Sequence, residues 1–358
     1  MPNIIVIGAG VSGLTSAYLL SKDRSNVVTV VAKHMPGDYD IEYASPWAGA
    51  NFMPMASKAN NRWETRSWPY LKHLAASVPE AGIHFQNCRL YRREKDVRTL
   101  EEEDSLFSNV FKKDPWYTDV VDNYKDLNPE ELPSGIASAS EFGSVCINTA
   151  LYLPWLIGQC RANGVTFHRK NLTHISELHY LEEEKFRPHV IVNATGLSSL
   201  KLGGVMDQTM YPVRGQVVVV RNVAPRMVVQ SGTDEGDGHA CYIMTRANGG
   251  GTILGGTVQV GSWESQPDPK TAEQIMKRAV NIVPELTNGK GIEHLDVIRH
   301  GVGLRPGREG GVRLEKEKID GVWVVHNYGH AGWGYQGSFG CAEEVVKLVE
   351  SIPAQAKL

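Results

Sequence analysis

A glycine-rich loop near the start of the chain most strongly limits how this end can fold. Gly8, Gly10 and Gly13 follow the apolar run Asn3–Ile7, which predicts a buried strand, and helical apolar spacing begins after them. The first glycine permits a tight turn, the second lets a pyrophosphate approach the main chain, and the third lets the helix pack on the strand. A second apolar run follows at Val27–Val31. The pattern predicts a βαβ unit that binds a dinucleotide at a helix N-terminus.

The end of the second predicted strand lacks the acidic residue that usually binds the adenosine ribose in such units. The chain continues there as Ala32-Lys33-His34. Lys33 could contact a phosphate, main-chain groups could bind the ribose, or Lys33 could be an ordinary solvated charge. The sequence leaves these interpretations open.

A second strand end helps to identify the dinucleotide. The run Val190–Gly196 is an apolar strand followed by Ala-Thr-Gly, small residues that let the chain pass closely over a bound cofactor. It resembles the corresponding strand end of flavoproteins with two dinucleotide-fold segments. The pattern favours FAD over a nicotinamide dinucleotide, and a buried strand with a simple glycine turn is the alternative.

Length and charge exclude several other classes of protein. The 358 residues predict about two domains, and the formal net charge of −3 provides no basic surface for nucleic acid or an anionic membrane. No apolar run reaches the roughly 18 residues that span a bilayer. The five scattered cysteines are odd in number, which argues against a disulfide framework or a zinc site.

The middle of the chain predicts a β-rich region. The runs Gln216–Arg221, Cys241–Thr245 and Thr252–Thr257 contain many β-branched residues and predict strands. Gly249–Gly251 predicts a hairpin turn between the last two, and Ala272–Val283 has helical spacing.

The C-terminal third again combines a strand, a glycine-rich loop and a helix. Val322–Val325 predicts the strand, His326–Gln336 the loop, and Ser338–Ser351 the helix. Such a corner can bind an anion or a carbonyl group at the helix N-terminus.

Six segments, spread from near the N-terminal loop to near the C-terminus, carry a family pattern. They are Ala44–Asn51, Tyr211–Gln216, Cys241–Met244, Gly255–Thr257, Gly303–Pro306 and His326–Gln336. Together they resemble the D-amino-acid oxidase family in its fungal form, and the resemblance covers essentially the whole chain.

The resemblance implies an α/β fold class, with a Rossmann-like FAD-binding domain built on a parallel sheet and a β-rich α+β substrate domain. The FAD-binding domain would comprise residues 1–57, 141–198 and 296–358, and the substrate-binding domain residues 58–140 and 199–295. The implied reaction is oxidative deamination of D-amino acids, with hydride transfer from the substrate Cα to N5 of non-covalently bound FAD. The products are a 2-oxo acid, ammonia and hydrogen peroxide.

The resemblance also assigns catalytic roles. Arg305 would hold the substrate carboxylate, to which a guanidinium offers two parallel hydrogen bonds. Tyr242 would donate a hydroxyl hydrogen bond to the same carboxylate. Gly332 would offer its carbonyl to the amine, and Gln336 would make a polar contact nearby. Because positioning supplies most of the chemistry, no acid–base side chain is required.

The cofactor contacts come from the glycine loop, the ends of two strands and three further segments. Leu172 would be, to within one residue, the main-chain contact on the adenine side. The assigned residues are Gly8, Ala9, Gly10, Val11, Ser12, Gly13, Lys33, His34, Ala44, Ser45, Ala48, Gly49, Ala50, Asn51, Leu172, Thr195, Gly196, Ala331, Gly332, Trp333, Gly334, Tyr335 and Gln336.

One position bears on the side chain of the substrate. Family members that oxidise D-aspartate carry an additional arginine just after the Gly-Gly-Thr segment, where this chain has Val258. An apolar residue cannot offset the desolvation of a second carboxylate, so we expect neutral, mostly apolar D-amino acids. The loop Met227–His239 could instead deliver Arg226 or an ordered water.

Alternatives exist on this fold and outside it. A D-aspartate oxidase or a glycine or secondary-amine oxidase would share the fold, whereas an NAD-dependent dehydrogenase or a non-catalytic flavin-binding protein would not share the reaction. The expected partners are a D-amino acid and oxygen, with no nucleic acid and no membrane. A homodimer is one oligomeric state that the sequence leaves open.

The last three residues, Ala356-Lys357-Leu358, are a close variant of the Ser-Lys-Leu peroxisomal address. Combined with a reaction that releases peroxide, this variant predicts the peroxisomal import receptor as a partner. The expected location is the peroxisome.

Overall fold

The structure, a computed structural model, describes residues 2–102, 108–180, 188–236 and 238–353. The C-terminal tripeptide with the predicted peroxisomal address lies outside these residues. The chain divides into two compact units, each assembled from separate stretches of sequence. The first unit comprises Met1–Pro46, Ala150–Pro212 and Arg305–Leu358, and the second comprises Trp47–Thr149 and Val213–Leu304.

The described residues form the following regular elements. The helices are α1 Val11–Leu20, α2 Arg62–Ser77, α3 Val97–Glu102, α4 Thr149–Ala162, α5 Pro269–Ile282 and α6 Ser338–Glu350. The strands are β1 Asn3–Ile7, β2 Val27–Ala32, β3 Ile83–Arg93, β4 Asp122–Asp126, β5 Ile136–Ile147, β6 Thr166–Arg169, β7 Val190–Asn193, β8 Met210–Val220, β9 Met227–Gln230, β10 His239–Thr245, β11 Thr252–Thr257, β12 Gln259–Val260, β13 Val297–Arg308, β14 Lys316–Ile319 and β15 Val322–His326.

The first unit contains the predicted parallel sheet. Within the described residues it has six strands in the order β14-β15-β7-β1-β2-β6, and only the edge strand β14 is antiparallel to its neighbour. The central strands are mainly apolar because both faces of the sheet are covered, and Ile4, Ile5 and Val6 have no exposed surface. The sheet confirms the Rossmann-like part of the predicted fold.

The second unit contains the predicted β-rich part of the fold. Its sheet has nine strands in the described chain, mostly antiparallel, with β8, β11, β10 and β9 adjacent in that order. Thr245 pairs with Thr252, so the glycines between them form the expected hairpin turn. Helix α5 packs on this sheet through Ala272, Ile275 and Ala279, which join its buried core.

The unit boundaries differ from those assigned from the sequence. Residues 47–57, 141–149 and 296–304, assigned to the FAD-binding domain, lie in the second unit, and residues 199–212 lie in the first. Strand pairing is the physical reason. Strand β5 pairs with β3 along its length, and β13 pairs with β8, so these strands belong to the second sheet.

None of the helices in the described part of the chain combines the length and apolar character needed to cross a lipid bilayer.

Candidate cofactor cleft and substrate residues

A cleft opens in the first unit at the carboxyl ends of β1, β2, β6, β7 and β15. Parallel sheets bind ligands at this edge. The cleft contains about 880 Å³ of empty space, including its open mouth. Its lining comes from loops that are far apart in sequence, so the folded sheet assembles it.

The glycine loop after β1 has the close main-chain contacts that its sequence predicts. Gly8 has a φ of 109°, and a Cβ there would lie 2.5 Å from the carbonyl oxygen of Ala194. A Cβ at Gly13 would lie 2.0 Å from the carbonyl oxygen of Gly8. Gly10 precedes α1 and lines the cleft with the first residues of the helix. The helix N-terminus and its partial positive charge therefore border the cleft.

The loop after β2 is fastened to the glycine loop by a tyrosine. The Tyr43 hydroxyl donates a 2.6 Å hydrogen bond to the carbonyl of Ala9, and its ring stacks on His34 with centroids 5.7 Å apart. Burial raises the pKa of Tyr43 well above its ordinary value, so the hydroxyl keeps its proton. Lys33 and Glu42 both line the cleft. This loop therefore brings a carboxylate to the cleft although β2 itself ends without one.

The segment after β7 is held by a buried hydrogen-bond network. Asn193 Oδ1 accepts hydrogen bonds from the Thr195 main-chain N–H at 3.2 Å and the Thr195 hydroxyl at 2.7 Å. Asn193 Nδ2 donates to His326 Nδ1 at 3.2 Å, and His326 Nε2 donates to Glu317 Oε1 at 2.8 Å. Burial, aided by the charge of Arg313, lowers the pKa of His326 to about 4. The imidazole is therefore neutral at pH 7, and it links Asn193 to Glu317 by hydrogen bonds.

Three buried polar atoms at the cleft have no hydrogen-bond partner in the described part of the chain, namely His34 Nε2, Asn327 Oδ1 and His330 Nε2. Asn327 is fully buried, and its Nδ2 donates to Ser16 Oγ at 3.0 Å. His330 is 3% exposed, and burial lowers its pKa to about 4. An unpaired buried polar atom costs roughly 1–3 kcal/mol. These three atoms therefore indicate that a polar ligand completes the cleft.

A charged cluster supports Tyr328, another residue of the cleft wall. The Tyr328 hydroxyl donates to Asp207 Oδ2 at 2.8 Å, and Arg308 Nε donates to the same oxygen at 2.9 Å. Arg313 Nη1 donates to the Tyr328 hydroxyl oxygen at 3.0 Å. Although burial alone would raise the pKa of Asp207, hydrogen bonds from Thr209 and the other donors hold it well below its ordinary value. Ionised Asp207 therefore stabilises the folded first unit.

In the second unit, the ring of Tyr242 lies over two glycines of the neighbouring strand β11. A Cβ at Gly255 would lie 2.0 Å from the ring, and a Cβ at Gly256 would lie 2.9 Å from the hydroxyl oxygen. A side chain at Gly255 or Gly256 would collide with the tyrosine, which explains why the Gly-Gly-Thr motif has glycine at these two positions.

The structure brings part of the predicted cofactor set together in the cleft of the first unit. These residues are Gly8, Ala9, Gly10, Val11, Ser12, Lys33, His34, Ala44, Ser45, Leu172, Thr195 and Gly196.

Other predicted cofactor and substrate residues do not line this cleft. Gly13 packs beneath the glycine loop, and Ala48–Asn51 lie in the second unit, where Asn51 bridges to Cys146 of β5. Arg305 is partly buried at the start of the last stretch of the first unit.

The segment Ala331–Gln336 lies between the cleft and α6 and is anchored at two points. The N–H of Ala331 donates to the carbonyl of Pro306 at 2.9 Å, and the Tyr335 hydroxyl donates to the carbonyl of Ser45 at 2.8 Å. This segment follows directly on the cleft wall formed by the preceding residues of the same loop.

Several residues of the cleft are not among those assigned from the sequence. Glu42 and Tyr43 lie in a loop without periodic pattern, so nothing in the sequence indicates that it folds back onto the glycine loop. Asn327, Tyr328 and His330 follow a predicted strand of the parallel sheet, and their position at its carboxyl end was a usable signal.

Comparisons with known proteins agree with this arrangement. Residues 3–348 match the family model described as "FAD dependent oxidoreductase". The chain is 56% identical over 358 residues to a D-amino-acid oxidase of Fusarium vanettenii, covering 99% of this chain and 98% of the relative. It is 37% identical to a D-amino-acid oxidase of Schizosaccharomyces pombe, covering 97% and 95% of the two chains.

Solved structures show the same fold at low sequence identity. The glycine oxidase from Geobacillus kaustophilus matches with a TM-score of 0.75 and 18% identity, covering 100% of this chain and 97% of that chain. At this identity the match establishes the fold and carries no information on the substrate.

We predict that Asp207→Asn destabilises the protein by about 3 kcal/mol at pH 7, because it removes one partner of a buried ion pair. The folded pKa of Asp207 is lowered, so its contribution is complete above the ordinary carboxyl pKa of about 4 and is lost as pH falls below that value. The difference in free energy of unfolding between wild type and variant, from urea titrations at pH 7 to 3, should therefore shrink on acidification.

Asp296→Asn provides the matched control for this prediction. Asp296 also pairs with an arginine, Arg221 at 3.1 Å, but its side chain is 62% exposed. We expect a change below about 1 kcal/mol at pH 7. Equal effects of the two substitutions would contradict the role assigned to the Asp207 cluster.

Proposed function

Because the chain belongs to the D-amino-acid oxidase family of FAD-dependent oxidoreductases, we propose that it catalyses the oxidative deamination of neutral D-amino acids. The products are a 2-oxo acid, ammonia and hydrogen peroxide, with oxygen as the electron acceptor. The observation that carries this proposal is the 56% identity to a D-amino-acid oxidase over 99% of the chain.

The cleft of the first unit fits FAD by its shape and its unpaired polar atoms. The glycine loop leaves no Cβ where a pyrophosphate would approach, and the N-terminus of α1 offers N–H donors there. The unpaired Asn327 Oδ1 and His330 Nε2 provide an acceptor and a ring nitrogen for polar groups of the cofactor. When bound, FAD accepts the hydride of the substrate Cα and then passes the electrons on to oxygen.

The residues of the chain bind and orient the amino acid. In this proposal the Arg305 guanidinium forms two hydrogen bonds with the substrate carboxylate, and the Tyr242 hydroxyl donates to the same group. The carbonyl of Gly332 accepts a hydrogen bond from the amine, and Gln336 adds a polar contact. With the carboxylate and the amine both held, the Cα–H bond has a fixed direction. Orientation alone supplies several kcal/mol of rate acceleration, so no side chain is required as a general base.

Two residues of the second unit support a neutral substrate. Val258 is the residue directly after β11, and its side chain offers no charge to a second carboxylate. Arg226, the other candidate, lies 4.0 Å from Glu285, which satisfies part of its charge. A D-aspartate oxidase is therefore the less favoured candidate.

The direct test is the visible spectrum of the purified protein before and after anaerobic addition of D-alanine. We expect oxidised-flavin absorbance that bleaches with D-alanine and D-methionine much faster than with D-aspartate. A colourless protein would contradict the cofactor, and faster bleaching with D-aspartate or glycine would contradict the substrate class.

We predict that Arg305→Ala lowers kcat/KM for D-alanine by at least about 10²–10³-fold, because the substrate carboxylate loses its paired cation. The flavin content of the variant, measured from its visible absorbance, should match wild type. Arg305→Lys keeps the charge but loses the bidentate geometry, and its activity should lie between the two. Wild-type kinetics in Arg305→Ala would refute the assignment.

We predict that Gly10→Ala weakens FAD binding by about tenfold or more, because a methyl group would occupy the approach to the pyrophosphate. The added Cβ would lie 2.9 Å from Ser45 Oγ, which accepts a 3.0 Å hydrogen bond from the Val11 N–H. Rotation of Ser45 would therefore cost the apoprotein about the 0.5–1.5 kcal/mol of one hydrogen bond. The FAD dissociation constant is measured by quenching of flavin fluorescence. Gly158→Ala in α4, where a Cβ meets nothing within 4 Å, is the control and should bind FAD normally.

We further propose that the protein is imported into the peroxisome through Ala356-Lys357-Leu358. Confinement there would fit a reaction that releases hydrogen peroxide. A fluorescent protein fused at the N-terminus of the full chain should colocalise with a peroxisomal marker, and removal of the three residues should make it diffuse. Unchanged import after their removal would contradict the proposal.

A further inference from the structure

Arg246 is a buried arginine of the second unit whose guanidinium donates to the main chain of a distant segment. Its side chain reaches the carbonyl of Gly49 through Nε at 2.6 Å and the carbonyl of Ala48 through Nη2 at 2.5 Å. The residue is 5% exposed. A buried cation that donates to main-chain carbonyls in this way fixes the position of the peptide groups it binds.

The anchored segment is Ala48–Asn51, whose residues the family resemblance assigns to the contacts with the flavin cofactor. Its far end is held by hydrogen bonds between Ala50 and Ile147 in both directions, at 3.4 and 2.8 Å. Arg246 holds the near end. The guanidinium thus sets the position of the peptide between Ala48 and Gly49, whose N–H group belongs to Gly49.

Strand β10 explains how the arginine reaches this segment. Tyr242 and Met244 are two residues apart in β10 and therefore share one face, and Arg246 is the residue directly after the strand. Met244 packs directly against Gly49, where a Cβ would lie 2.5 Å from its sulfur. Strand β10 therefore carries the proposed substrate contact Tyr242, and the residue at its end anchors the proposed flavin contact.

The charge of Arg246 also acts on its surroundings. Burial raises the pKa of the Cys146 thiol to about 12, and the positive charge of Arg246 opposes this increase, so its field reaches neighbouring groups. A hydrogen bond to a carbonyl polarises its peptide and makes the N–H of the same peptide a stronger donor. For the peptide between Ala48 and Gly49, the strengthened donor is the N–H of Gly49.

We propose that Arg246 is a positioning residue that aligns the Gly49 N–H with the flavin and, through its charge, favours the reduced cofactor. This inference rests on the proposed function, because it takes Ala48–Asn51 as a flavin contact. It adds a residue outside the six family segments and a role in setting the midpoint potential.

The test compares Arg246→Met and Arg246→Lys with wild type as holoenzymes. We expect Arg246→Met to lower the flavin midpoint potential, alter the visible spectrum of the bound flavin and slow anaerobic reduction by D-alanine by about tenfold or more. The KM for D-alanine should change little, because Arg246 does not touch the substrate. Arg246→Lys keeps the charge and one hydrogen bond, so its potential and reduction rate should lie between those of wild type and Arg246→Met.

Arg214→Met is the matched control. Arg214 belongs to the same unit, is 3% exposed and also donates to two main-chain carbonyls, those of Glu264 and Gln266. It should lose similar stability while keeping the wild-type flavin spectrum and potential. If Arg246→Met matches Arg214→Met in both readouts, or if Arg246→Lys equals wild type in potential, spectrum and reduction rate, the proposal is overturned.

These readouts separate the inference from the proposed function. If D-alanine fails to reduce the wild-type flavin, the proposed function fails, and the spectrum and midpoint potential of the variants still decide the role of Arg246. If wild type is reduced normally and the variants keep its potential, only the inference fails.

Discussion

The close approach of main chain to main chain at the glycine loop is the contact on which the first unit depends. Gly8 passes so near the end of β7 that a side chain would collide with the carbonyl of Ala194, and Gly13 packs equally closely on Gly8. These contacts leave room for no Cβ, and they bring the N-terminus of α1 to the edge where five strands end. Without them the helix would stand away from the sheet, and the cleft would lose the donors that suit a pyrophosphate.

Polar side chains then fix the loops around this edge. A chain of hydrogen bonds connects β7, β15 and β14 through Asn193, His326 and Glu317. Tyr43 joins the loop after β2 to the glycine loop by its hydrogen bond to Ala9. Asn193, His326 and Tyr43 are buried with hydrogen-bond partners, and the charged Glu317 keeps 41% of its side chain exposed, so the network costs little desolvation beyond what its hydrogen bonds return. Within the described residues, three atoms of the cleft lining stay without a partner: His34 Nε2, Asn327 Oδ1 and His330 Nε2. They are available to the polar groups of a cofactor.

In the second unit, strand β10 and the residue after it position the proposed contacts. Gly255 and Gly256 leave space for the ring of Tyr242, Gly49 leaves space for Met244, and Arg246 reaches past the strand end to the Ala48–Asn51 segment. The fold is shared with an enzyme at 18% identity, whereas the proposed substrate preference rests on a few positions, Val258 and Arg305 among them. Fold and substrate preference are therefore separable properties of this chain.

Local patterns and motifs of contiguous residues were enough to predict the βαβ unit, the parallel sheet, the β-hairpin around Gly249–Gly251 and the family. The set of residues that meet in the cleft follows only from the folded chain. Glu42 and Tyr43 reach the cleft region from a loop without periodicity, and Arg246 reaches Gly49 across 197 positions of sequence. The unit boundaries also depend on the tertiary structure. Residues 141–149 and 296–304 belong to the second unit because their strands pair with strands that are distant in sequence. The spacing of apolar residues in a segment determines whether it forms a helix or a strand. The partner of a buried polar group depends instead on the packing of residues that are distant in sequence, so a short stretch of sequence does not reveal it.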